Sequence, residues 1–89
     1  MTDLELATYI VNALNNGSCI WEVYYNETNN QYLARNTKER NTRSLKYPIF
    51  LLRRWIDKPT DAMEYLNSSS YTLTTARLTA RHFLEHGGP

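Results

Sequence analysis

The hydrophobic period of this chain changes twice, and that change restricts the folds open to it. Leu4, Ala7, Val11 and Leu14 recur at helical spacing, with Leu6, Ile10 and Ala13 widening the stripe. From Cys19 to Tyr25 the period drops to two: Cys19, Trp21, Val23 and Tyr25 lie on one face, Ile20, Glu22 and Tyr24 on the other. Such alternation in a β-branched and aromatic run predicts a strand with one buried face. Helical spacing then returns at Leu73, Ala76, Ala80, Phe83 and Leu84. Helix, strand and helix on one short chain predict an α+β domain. A small antiparallel β-hairpin or three-stranded sheet is packed against an N-terminal helix and two to three C-terminal helices.

Local signals set the boundaries. Thr2-Asp3-Leu4-Glu5 fits a capping box, and Asn15-Asn16-Gly17 supplies a left-handed stop, so a helix is expected over Asp3–Asn15. Asn26 to Asn30 reads as a turn, with a second strand from Gln31 to Asn36. Thr37 to Ser44 is a polar loop or a hairpin tip leading to a third strand at Leu45-Lys46-Tyr47. Pro48 suits the first turn of a helix near Pro48–Asp57, with Ile49, Leu52 and Ile56 on one face and Leu51 and Trp55 beside it. The same apolar run also fits a buried strand. A short helix is expected from Asp61 to Leu66, with Ala62, Met63 and Leu66 inward. The loop Asn67-Ser68-Ser69-Ser70 then caps the last helix, which Gly87-Gly88-Pro89 ends.

A chain of 89 residues is one compact domain with a thin core. Trp21, Trp55, Phe50, Phe83 and some of the seven tyrosines are the side chains expected to fill it. No apolar run has the length of a membrane span, and the acidic start is unlike a signal peptide, so the chain reads as cytoplasmic. Cys19 is the single cysteine, which rules out an internal disulfide and a four-cysteine zinc site.

Charge is unevenly placed. The net value is +1, yet residues 1–34 sum to −4, residues 35–58 to +6 and residues 59–89 to −1. Within the basic segment, Arg35, Lys38, Arg40, Arg43 and Lys46 alternate with Asn and Thr side chains that hydrogen-bond phosphate or bases. Tyr32 and Tyr47 flank this stretch, and Arg53 and Arg54 follow it. These nine residues are the expected partner-binding set. The competing reading is a solvated polar loop, neutralised by Glu39, Asp57 and the acidic first third of the chain.

Chemistry has fewer candidates. His82 and His86 share a helix face, but a metal would need further ligands for which the chain offers only Cys19, Glu85 and Asp61, and no metal is expected. Cys19 falls on the strand face of Trp21 and Val23, where a thiol acts as a small buried hydrophobe rather than a nucleophile. There is no nucleophile elbow around Ser68-Ser69-Ser70 and no glycine-rich phosphate loop, and no cofactor is implied. The sequence points to a non-catalytic protein-binding module, an inhibitor or accessory protein of the kind carried by phages and mobile elements, which act by occluding a host protein. Its expected partner is a macromolecule with an acidic surface, a protein ahead of a nucleic acid. The alternative is a nucleic-acid-binding protein using residues 35–58. A symmetric homodimer fits either reading.

Overall fold

The computed structural model describes residues 1–68 and 74–89. The elements run α1 (Asp3–Asn15), β1 (Trp21–Asn26), β2 (Gln31–Asn36), β3 (Thr42–Ser44), α2 (Lys46–Asp57), α3 (Thr60–Ser68) and α4 (Thr74–His86). The three strands form an antiparallel sheet in the order β1-β2-β3. Helices cover one face of it: α1 lies against β1 and β2 and also touches α2 and α4, while α3 packs on α4.

The start of α1 follows its sequence. Thr2 accepts from the Glu5 N–H at 3.2 Å, and Glu5 accepts from the Thr2 N–H at 3.0 Å. At the other end Asn16 and Gly17 take positive φ values of 44° and 93°. The helix is then tied directly to the sheet. The Asn15 amide accepts from the Trp21 N–H at 2.8 Å and donates to the Trp21 carbonyl at 3.0 Å. A side-chain amide thus stands where a neighbouring strand would pair.

That tie explains a correction. The strand begins at Trp21, so Cys19 lies in the link before it and is exposed rather than buried with Trp21 and Val23. The third strand is also displaced. Leu45 donates to the Tyr32 carbonyl at 3.1 Å and accepts from the Ile49 N–H at 2.9 Å. It therefore closes the ladder and opens α2, so the strand covers Thr42–Ser44 instead of Leu45–Tyr47. Residues 48–56 are helical, and Pro48 sits in the first turn, where a missing N–H costs nothing.

The core gathers Leu6, Ile10, Val11, Ala34, Leu45, Leu52, Trp55, Ala76, Ala80 and Phe83. Trp55, 2% exposed, is its largest fully enclosed side chain and contacts the rings of Tyr65 and Phe83. Phe50 is not part of it. Leu51, Leu52 and Trp55 take the inner arc of α2, which turns Phe50 outward to 54% exposure. Ile56, Leu4 and Leu84 are also exposed at the margins of their stripes, and Met63 points outward while Ala62 is buried. Leu73, Ser69 and Ser70 lie outside the described residues. No helix among the described residues is long and apolar enough to cross a membrane.

Candidate functional site

The nine residues expected to form one surface fall into three places. Strand register decides this. Ala34 pairs with Val23 and Arg43, so Arg43 faces the helices together with Trp21, Val23 and Ala34. Its guanidinium lies 4.8 Å from the Trp21 ring centroid, and its Nη1 reaches Thr75 Oγ1 on α4 at 3.4 Å. Arg43 is a bolt between sheet and last helix, half-buried and turned away from any partner.

At the end of the sheet near the β2–β3 turn stand Arg35, Lys38 and Arg40. The turn is organised by Asn36, whose buried amide oxygen accepts from the Lys38 N–H at 2.9 Å and the Glu39 N–H at 2.8 Å. Arg40 donates its N–H to the Asn36 carbonyl at 2.8 Å and adopts φ 63°. Arg35 lies 5.2 Å from the Tyr24 ring centroid and pairs with Glu22 at 3.6 Å. Glu22, Arg35, Asn36, Thr37 and Arg40 line an open concavity of about 520 Å³.

The remaining residues lie at the opposite end, about 13 Å away along β2 from Asn36 to Tyr32 at 3.3 Å per residue. Here a cleft of about 330 Å³ opens between the β1–β2 turn and α2, with Tyr32, Ile49, Phe50, Lys46 and Arg53 in its lining. Arg53 is engaged within the chain: it pairs with Asp3 and donates to the Met1 carbonyl at 3.2 Å. Lys46 and Arg54 have no ion pair among the described residues. Thus the acidic first third does neutralise part of the basic segment, through Asp3 on Arg53 and Glu22 on Arg35.

Between Lys46 and Arg54 the solvent face of α2 carries two aromatic rings. Tyr47 and Phe50 stack nearly parallel, with centroids 6.5 Å apart and planes 19° apart. Arg54 covers the other ring, 5.9 Å from the Phe50 centroid. Sequence reasoning placed Phe50 in the core and missed it as a surface residue. The signal was present: Lys46, Phe50, Arg53 and Asp57 recur at i, i+4, i+7 and i+11, which puts Phe50 in the middle of a polar helical face.

The histidine pair is equally concrete. His82 and His86 have ring centroids 4.5 Å apart, and Tyr9 meets His82 edge-on at 5.2 Å. Burial, and then the neighbouring His86, lower the His82 pKa from its ordinary 6.5. Among the described residues no group of three His, Cys, Asp or Glu side chains converges on a metal position. Comparison of the chain with protein-family models, with curated proteins and with solved structures finds no match.

Proposed function

We propose that this is a non-catalytic binding module that docks a protein partner on the solvent face of α2. The observation that carries the reading is the Tyr47–Phe50–Arg54 stack. Phe50 is 54% exposed at the centre of that face, with the stacked Tyr47 ring 6.5 Å and the Arg54 guanidinium 5.9 Å from its ring centroid. Aromatic and arginine side chains dominate the energetics of protein interfaces, the aromatics because they cover a large area with few rotors and arginine because its planar guanidinium stacks and donates several hydrogen bonds at once. The adjoining cleft gives an apolar or aromatic partner side chain a place beside Ile49 and Tyr32. Lys46 and Arg54, free of ion pairs among the described residues, favour carboxylates around that anchor. The partner is therefore a protein surface with an apolar anchor ringed by acidic residues. Occlusion of that surface is the mode of action, in the cytoplasm, as for an inhibitor or accessory factor of a phage or mobile element.

The test uses a photo-crosslinking amino acid at position 50 and, as a control, at the exposed Met63 on α3. A partner trapped from position 50 but not from 63 is then purified and titrated with Phe50→Ala and Arg54→Glu. Loss of a hot spot of about 2 kcal/mol weakens binding roughly thirtyfold. A purified partner whose affinity is unchanged by both substitutions overturns the reading. Sedimentation of the free protein and of its Phe50→Ala variant tests whether a second copy takes the same face.

A further inference from the structure

We infer that the open face of the sheet, opposite the helices, together with the β2–β3 turn, is a second binding surface, and that it takes a single strand of nucleic acid. The register places Glu22, Tyr24 and Asn26 of β1 beside Arg35, Leu33 and Gln31 of β2, and Thr42 and Ser44 of β3 beside Arg35 and Leu33. Tyr24 stands 44% exposed on the edge strand β1, beside Leu33 of the central strand, and the Arg35 guanidinium lies 5.2 Å from its ring centroid. Three strands at about 4.8 Å spacing make a platform roughly 10 Å across, room for two or three bases. Ring and guanidinium planes stack with any base, so the platform recognises nucleic acid without requiring a sequence. Thr42 and Ser44 offer hydroxyls to bases or sugars.

The backbone has its path at one end of the platform. Arg35, Lys38 and Arg40 gather there against Glu22 and Glu39, and the concavity between Arg35 and Arg40 is open to solvent. Arg40 is the telling residue. Its φ of 63° is a conformation glycine adopts freely and a long side chain adopts at a steric cost. Two other left-handed turn positions of this chain carry asparagine, Asn16 and Asn30, whereas this one carries a cation. With arginine there, an exposed cation lines the concavity at the closing end of the turn, open to a phosphate. Among the described residues that line the concavity Glu22 is the carboxylate, and it pairs with Arg35 at 3.6 Å. A phosphate on Arg35 competes with that carboxylate, so Glu22 weakens binding.

These residues make predictions of opposite sign. The measurement is fluorescence anisotropy of labelled oligothymidylate and oligouridylate of ~12 nucleotides, a duplex of equal length and inorganic polyphosphate as competitor, at ~20 and ~150 mM salt. The intact protein binds the single strands more tightly than the duplex, and its affinity falls with salt. Tyr24→Ala weakens binding roughly tenfold. Arg40→Gly weakens it about threefold at low salt. That variant keeps or raises the melting temperature, since glycine relieves the turn. Glu22→Gln tightens binding about twofold. The Phe50→Ala variant binds like the intact protein, which separates this surface from the face of α2. No anisotropy change at low salt overturns the inference. So does an affinity unaffected by Tyr24→Ala, which with full competition by polyphosphate marks charge attraction alone. Loss of binding in Phe50→Ala with retention in Tyr24→Ala likewise assigns the strand to α2 and overturns it.

Discussion

The guanidinium of Arg43 lies 4.8 Å from the ring centroid of Trp21, on the face of the sheet that the helices cover. This contact, with the bond to Thr75, makes Arg43 part of the scaffold although it comes from the most basic stretch of the chain. Arg40, three residues earlier, is exposed on the turn. Reversal of charge therefore has unlike effects at the two positions. Arg43→Glu is expected to lower unfolding free energy by about 2–3 kcal/mol, through loss of the ring contact and a half-buried carboxylate without a partner. Arg40→Glu is expected to change it by less than about 0.5 kcal/mol. Urea titrations of both variants check this, and equal stability would show that Arg43 does not bolt sheet to helix.

Asn36 closes the β2–β3 turn with one side-chain oxygen that accepts from two backbone N–H groups. Asn36→Ala leaves both donors without that acceptor and is expected to cost about 1–3 kcal/mol. Asn36→Asp keeps an acceptor in place and is expected to retain more of the stability. Hydrogen exchange at the Lys38 and Glu39 amides reads the loss locally: both should exchange faster in the alanine variant.

The two large aromatic residues of α2 should respond in opposite ways to truncation. Trp55 is enclosed, so Trp55→Ala is expected to cost about 3–5 kcal/mol. Phe50 faces solvent, and its ring and cation partners among the described residues are the exposed Tyr47 and Arg54, so Phe50→Ala is expected to change stability by less than about 1 kcal/mol. Thermal melts of the two variants distinguish a binding residue from a core residue.

Stability should also fall on mild acidification. Burial and His86 lower the His82 pKa in the folded protein below its ordinary 6.5. The unfolded chain then binds more protons in that window. Stability is fully present above about pH 6.5 and declines as the pH falls toward the folded-state value, with no further loss below it. Replacement of His82 by Gln is expected to flatten the melting temperature across this window. At lower pH the Glu5 carboxylate, held below its ordinary 4.5 by its bonds to Thr2, adds a second decline as it protonates.

The first half of the fold was legible because its signals are local. The capping box at Thr2, the left-handed stop at Asn16 and the alternation at Trp21 and Val23 each involve neighbours in sequence, and each appears in the structure, although Tyr25 at the end of the same face is 42% exposed and Cys19 precedes the strand. The third strand was placed three residues late, because the bond from Leu45 to Tyr32 also begins a helix. A pattern of apolar residues contains no mark for such a handover.

What the sequence by itself determined was the α+β class, the bounds of α1, the β1–β2 hairpin and the helical character of the C-terminal part, while it left open a third strand and the helix or strand over residues 48–56. Only the tertiary structure decided which part of a wide apolar arc is covered and where each charge points. Ile49 and Phe50 are adjacent and both apolar, yet one is buried and the other stands in solvent, because the rest of the core covers only the arc of α2 through Leu51, Leu52 and Trp55. Nine basic and aromatic residues that are close in sequence were divided between two ends of a sheet and its buried face. The physical reason is that strand pairing alternates side chains between faces and antiparallel connections reverse direction. Proximity along the chain therefore does not carry over into proximity on the surface.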